Sequence, residues 1–316
     1  YLWDRPPDTT ALLSHAAAGT LVRGNATSLW AAMSANGSTV AYLSDSTDLL
    51  AEGGGGTGMN VYAWDRVTNA TMLMSHATSG AWVRGNGDSF RPAISANGAV
   101  VAFSSAASDL AFEDHYLTDL FVAEIATSEP ELVSERAAST IWEPITGNGD
   151  SEASRTRGSA ISADGRFAVF VSRATDLIAG GSGGTYGNVY LRDRATSTTT
   201  LVSHAASMPL RRGDSSSDLP VISADGAFVA YESYSSDLIP GVGGEPTMSI
   251  YMWHRATDTT TLVSHAATSP LVRANGAAYN PVIDATGSTV AYNSHATDLV
   301  SGGSGPIFYY NVYLWD

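Results

Sequence analysis

The chain has 316 residues, 44% of them hydrophobic and 15% charged, a composition that fits one large or two smaller globular domains and excludes a disordered chain. Its formal net charge of -15 argues against a phosphate backbone as partner, and with no cysteine it can form neither disulfides nor cysteine-held metal sites. All 16 basic residues are arginine, which removes lysine-based Schiff-base chemistry, and no apolar run approaches the roughly 18 residues of a membrane helix.

The first predicted element is a short strand at YLWD, residues 1–4, followed by a second in TALLSH, residues 10–15. Next comes MSANGSTVAYLS, in which an Asn-Gly pair between apolar runs predicts a tight hairpin of two strands, A and B. A glycine-rich connection, AEGGGGTGMN, leads to a third strand, C, at NVYAWD, and a turn leads to a fourth, D, at TMLMSH. The same order then returns. ISANGAVVAFSS, ISADGRFAVFVS, ISADGAFVAYES and IDATGSTVAYNS place the turn glycines at Gly37, Gly98, Gly165, Gly226 and Gly287, in steps of 61, 67, 61 and 61 residues. Strand C recurs as LFVAEI, VYLRDR, IYMWHR and a final VYLWD, so the chain closes on the tetrapeptide that opened it.

Strands that are apolar on both faces suit sheets stacked between neighbouring sheets, and no segment has sustained helical periodicity. Four-stranded antiparallel units repeated in this way predict an all-β fold, a single five-bladed β-propeller spanning residues 1–316. The pattern P-x-I-S-A-[ND]-G-x-x-V-A-[YF]-x-S, a glycine-rich loop, [NS]-[VI]-Y-x-[WR]-[DH]-R-x-T and T-x-L-V-S resembles the TolB-type, WD-repeat-like propeller repeats of secreted and periplasmic bacterial proteins. That resemblance implies the fold and a location outside the cytoplasm, in the periplasm or at the cell surface. It says little about activity, because such repeats serve as scaffolds, binding modules and accessory domains of enzymes. Relatives with Asp/Asn-rich connections before strand C suggest calcium, but here those connections are mostly glycine. No cofactor and no metal are therefore expected.

Two sets of repeated polar residues invite a metal or catalytic reading. His15, His76, His204 and His265 share one position, with Glu135 in the remaining copy; equivalent positions in a propeller lie too far apart for one ion, so a structural role is expected. Asp48, Asp109, Asp176, Asp237 and Asp298 of the [TS]-D-L element are expected to bond backbone amides. A functional centre should break the repeat's symmetry.

The symmetry-breaking features fall in the D-to-A and B-to-C connections, which share one face of a propeller. They are Trp82; Glu113, Asp114 and His115 of FEDHY; Trp142 and Glu143 of a longer third connection; Asp150; and Tyr309 beside Phe308 and Tyr310. Asp88, Asp214, Arg84, Arg211, Arg212 and Arg273 lie in the same connections. Aromatic rings beside carboxylates and arginine suit a glycan or peptide surface. A carboxylate pair for glycoside hydrolysis drawn from Glu113, Asp114, Glu143 and Asp150 is the least favoured alternative.

The favoured reading is a non-catalytic extracellular module whose partners are cell-surface proteins or other copies of itself, as in a surface layer, adhesin or filament. Strand counting supports it, because C occurs six times where A, B and D occur five times each. In the simplest closure the last blade takes A and B from 279–294, C from 312–316 and D from 11–15, with 1–5 as a fifth, outermost strand beside its hairpin partner. Alternatively the N-terminal hairpin supplies C and D while 312–316 enters a neighbouring subunit, or the chain is a slice of a longer tandem array. Tyr1, Leu2, Trp3, Tyr313, Leu314 and Trp315 are the candidate residues for closure or exchange.

Overall fold

The structure, a computed structural model, describes residues 2–4, 9–52, 56, 58–111, 117–137, 145–153, 160–303 and 309–316. Every helix or strand among them is a β-strand. The chain divides into two compact units, Tyr1–Val133 with Ile141–Thr146, and Ser134–Thr140 with Gly147–Asp316.

The first unit opens with a hairpin of β1 (Leu2–Asp4) and β2 (Thr9–Ala11). Two antiparallel sheets follow, each with its strands in sequence order. One holds β3 (Ser28–Met33), β4 (Thr39–Ser44), β5 (Asn60–Asp65) and β6 (Ala70–Leu73), and the other β7 (Ser89–Ile94), β8 (Val100–Ser105), β9 (Asp119–Glu124) and β10 (Pro130–Leu132). In the second unit β11 (Ser151–Ala153), β12 (Phe167–Ser172), β13 (Asn188–Asp193) and β14 (Thr198–Leu201) form one such sheet, and β17 (Ser217–Ile222), β18 (Phe228–Ser233), β19 (Ser249–His254) and β20 (Thr259–Leu262) another. Between them lies a hairpin of β15 (His204–Ala205) and β16 (Met208–Arg212), in a stretch the sequence marks only as a connection. The last sheet has three strands, β21 (Ala278–Ile283), β22 (Val290–Ser294) and β23 (Asn311–Trp315).

Five four-stranded blades are therefore replaced, among the described residues, by four four-stranded sheets and a terminal sheet of three. Its fourth strand was expected from 11–15, of which Ala11 lies in β2, and β2 pairs with β1. Closing that local hairpin costs little chain entropy, whereas β23 satisfies β22 over five residue pairs from Val290↔Trp315 to Ser294↔Asn311.

Each sheet is held by the same devices. A B-strand ring stacks on its C-strand partner in every copy: Tyr42–Tyr62, Phe103–Phe121, Phe170–Tyr190, Tyr231–Tyr251 and Tyr292–Tyr313, with centroids 5.6 to 6.0 Å apart. Such pairs add about 0.5–1.5 kcal/mol each beyond the area they bury. The S-A-[ND]-G turn is built by a serine: the hydroxyls of Ser34, Ser95, Ser162 and Ser223 donate to the Asn or Asp two residues on, and accept the amide five residues on. In the last copy Asp284 takes that place, and hydrogen bonds from Thr286 and Thr289 hold its carboxyl down at about 2.

The turn glycines all sit in the left-handed region, φ 67 to 79°, which costs a side chain about 1–2 kcal/mol. At Gly226 a Cβ would also lie 2.3 Å from the Phe167 ring of the preceding sheet. Gly226→Ala is expected to destabilise the protein by about 2–3 kcal/mol, read as a lowered urea midpoint with an unchanged slope.

Strand A carries one further irregularity. Between Leu29 and Ala32, Phe90 and Ala93, Asp218 and Val221, and Tyr279 and Val282 the register shifts by a bulge, and Trp30, Arg91, Leu219 and Asn280 have φ of 50 to 57°. Non-glycine residues are uncommon there, and a bulge in a strand re-aims the side chains and amides around it.

Candidate functional site

The repeated polar residues are consumed by structure, as their symmetry implies. The carboxylates of Asp48, Asp109, Asp176, Asp237 and Asp298 accept the backbone amides of Asn25, Asn86, Asn148, Asp214 and Asn275, tying each D-to-A connection to the exit of strand B. The four repeated histidines each point Nδ1 at the carbonyl of the next residue. Among the described residues no three His, Asp or Glu side chains converge on a metal-sized site.

Three arginines placed on the binding face by their position in sequence are internal struts. The Arg212 guanidinium donates to the Tyr190 hydroxyl and the Ala174 carbonyl, and Arg273 donates likewise to Tyr251 and Ser235. Arg84 reaches the carbonyls of Gly58 and Asp45. All three are buried, because a long side chain in a loop can turn inward to meet a phenol beneath it. Asp88 is exposed and accepts the Met59 amide. Arg211 stays exposed.

Of the symmetry-breaking residues, Glu113, Asp114, His115, Trp142 and Glu143 lie outside the described residues, as do Tyr1 and Gly53, Gly54, Gly55 and Thr57 of the first glycine-rich connection. Trp82 is half exposed in the first unit, while Asp150 and Tyr309 are exposed in the second. The terminal strands give the sharpest contrast. On strand C of the four preceding sheets, the residues matching Val312 and Leu314 are Val61 and Ala63, Leu120 and Val122, Val189 and Leu191, and Ile250 and Met252, all buried. Val312 is 78% and Leu314 69% exposed. Tyr313 and Trp315 point the other way, into the core shared with β17–β20.

The twin of Leu314 in the opening YLWD is Leu2, and it is covered. Leu2 packs with Leu13 against Val40, Tyr42, Tyr62 and Trp64 of the first sheet. The matching leucine thus packs against a sheet in the first tetrapeptide and faces solvent in the last.

A second asymmetric feature lies inside the strands, where the sequence reading did not look for it. The penultimate residue of strand B is Leu43, Ser104, Val171, Glu232 and Asn293 in the five copies, so one buried carboxyl interrupts FVAYES. Glu232 is 3% exposed and stands directly opposite Asp218 of β17. Its Oε1 accepts the amide of Asn280, which the β21 bulge aims across from the next sheet. Burial pushes the Glu232 carboxyl up to about 7, and the Asp218 charge adds to the rise.

Aromatic groups surround this pair. Tyr279 faces Tyr234, Tyr310 and Glu232, and burial together with those neighbours raises its phenol. Tyr310 meets Tyr279 edge-on at 5.8 Å and His295 edge-on at 5.4 Å. A carboxyl that titrates near neutrality beside a second carboxylate can exchange a proton or receive a positive charge. The signal that finds it is a charged residue at one repeat position that is apolar or neutral in the other four copies.

No protein-family model matches the sequence, and no curated protein matches it. Solved structures do. TolB from Acinetobacter baumannii is 14% identical over 88% of this chain, with a TM-score of 0.45, and this chain covers 54% of its length. A putative TolB from Agrobacterium tumefaciens is 15% identical over 92% of this chain and 77% of its own, with a TM-score of 0.47. The chain resembles TolB-type β-propellers. An oligogalacturonate lyase in complex with manganese is 12% identical over 91% of this chain and 66% of its own, at a TM-score of 0.49. The likeness concerns the fold.

Proposed function

We propose that the chain is a non-catalytic β-propeller module that works outside the cytoplasm by self-assembly, the bare face of its terminal sheet packing on the first sheet of a second copy. The observation that carries this reading is the exposure of Val312 and Leu314 where every preceding copy is buried. An apolar strand face of this kind is a docking surface that folds normally cover.

The occupant follows from the duplicated tetrapeptide. Leu2 and Leu314 hold the same place in identical sequence, and Leu2 packs on Tyr42, Tyr62 and Trp64, so the mate of the Leu314 face is a first sheet of this chain. Among the described residues the terminal sheet has A, B and C but no D, and the N-terminal hairpin has the equivalents of C and D but no A or B. Seating β23 in place of β1 on the first sheet of a second copy leaves that copy's β2 to pair with the open edge of β23 and completes a four-stranded blade by strand exchange. The contact is head to tail, so it propagates. Its non-catalytic character is supported by the repeated Asp and His residues, whose hydrogen bonds all serve the scaffold.

Light scattering across a concentration series should show mass rising with concentration, and Val312→Asp with Leu314→Asp should return the protein to monomer without lowering its melting temperature. A monomer at every concentration whose β23 amides are protected from exchange reports closure within one chain and overturns self-assembly. A monomer with unprotected β23 amides overturns it as well.

A further inference from the structure

The Glu232 cluster has a charge imbalance that defines what it can hold. Glu232 and Asp218 lie opposite each other on β18 and β17, and among the described residues neither forms an ion pair. Among the described residues the Asn280 amide is the one group that donates to Glu232, and Leu219 donates its amide to Asp218. Across the sheet on β19 the register partner of Glu232 is the apolar Ile250. The titratable groups that remain in reach are Tyr234, Tyr279, Tyr310 and His295, and the tyrosines add electron-rich ring faces rather than charge.

Buried carboxylates are stable when paired with a positive charge, and aromatic faces attract the same charge. An anionic guest would meet repulsion from two carboxyls on a chain already at -15, and a neutral guest would leave the imbalance unrelieved. A cation relieves it. The exposed rings of Tyr310 and Tyr234 offer the apolar stem of such a guest a surface to lie on. We propose that the cluster is a binding site for an organic cation, an ammonium or guanidinium head group of the kind that a lysine or arginine side chain of a partner polypeptide presents. Because the chain has no lysine of its own, an ammonium guest has to come from another protein.

The test follows tyrosine rings and head-group affinity rather than mass, so its failure is distinguishable from a failure of self-assembly. Nα-acetyl-lysine amide and Nα-acetyl-arginine amide, titrated against the protein while tyrosine ring signals are followed by NMR, should shift the rings of Tyr279 and Tyr310. Affinity for either cation should be about tenfold higher at about pH 8 than at about pH 5.5, because only the ionised Glu232 receives the charge. Glu232→Gln should lose most of that affinity and its pH dependence while keeping the native tyrosine spectrum. Which of the two amides binds more tightly identifies the head group, and either result supports the site. Equal binding of neutral Nα-acetyl-norleucine amide, binding of a neutral monosaccharide in its place, or no ring shift up to about 50 mM cation overturns it.

Discussion

Replacing Glu135 with alanine is expected to lower the unfolding free energy by about 2–3 kcal/mol, one of the two largest effects foreseen for single side chains outside the turns. Glu135 stands where the other copies have histidine, and it forms an ion pair with Arg192, whose side chain is only 5% exposed. Arg192 in turn stands where the C strands of three other sheets carry Trp64, Trp253 and Trp315. Without the carboxylate, Arg192 keeps its bonds to the Ser197 carbonyl and the Thr199 hydroxyl, while its charge stays buried and unpaired. Breaking a buried pair from one side costs about 3–5 kcal/mol, and the part of Glu135 that reaches solvent brings the figure down.

The next copy shows how the same place is filled without an ion pair. There His204 Nε2 and Trp253 Nε1 both meet Oδ1 of Asp258, at 3.0 and 2.8 Å. Glu135→His, Arg192→Trp and Ser197→Asp together transplant that arrangement, since Ser197 and Asp258 hold the same left-handed turn position at φ 53°. The triple variant should recover stability to within about 1 kcal/mol of the parent, while Arg192→Trp alone leaves Glu135 unpaired and remains destabilised. Urea unfolding of the four proteins tests the set; equal losses in the Glu135→Ala and triple variants would show that the pair is not interchangeable with the His–Asp–Trp arrangement.

The pair also marks where sequence and structure diverge. The five A and B strands were legible because each device that makes them is local: in four copies an Asn-Gly or Asp-Gly turn with a serine three residues before the glycine, in the fifth Asp284 ahead of Thr286-Gly287, and apolar runs on either side. The repeated aspartates were equally legible, since a residue needed at every copy serves something every copy has. The partner of β22 was legible as the simplest closure, with 312–316 beside it, although two identical YLWD segments kept an alternative open because the choice is made by chain connection rather than by side chains. Arg84, Arg212 and Arg273 were misplaced for a different reason: sequence gives the loop in which a side chain starts, and a guanidinium can end several ångströms inside it. Glu232 escaped notice because asymmetry was sought in the loops, whereas its partners arrive from the neighbouring sheet's bulge, a contact between residues 48 apart in sequence.

Glu232→Gln is expected to stabilise the protein at alkaline pH and to leave it unchanged in acid. The carboxyl sits at about 7 in the folded chain against an ordinary 4.5. Below 4.5 both folded and unfolded states keep the proton, so the residue has no pH-dependent effect. Between those values the unfolded chain ionises while the folded one still holds its proton, and stability falls as pH rises. Above about 7 the loss is complete, and a difference of this size corresponds to up to about 3 kcal/mol. The glutamine keeps an oxygen for the Asn280 amide and carries no charge to bury beside Asp218, so its stability curve should lack that fall. Urea midpoints of the two proteins compared at about pH 4, 6 and 8 should separate steadily with pH, and parallel curves would falsify the assignment. A bound cation acts in the opposite sense: by favouring the ionised carboxyl it lowers the folded-state value and cancels the fall in the parent, while the glutamine variant has no fall to cancel.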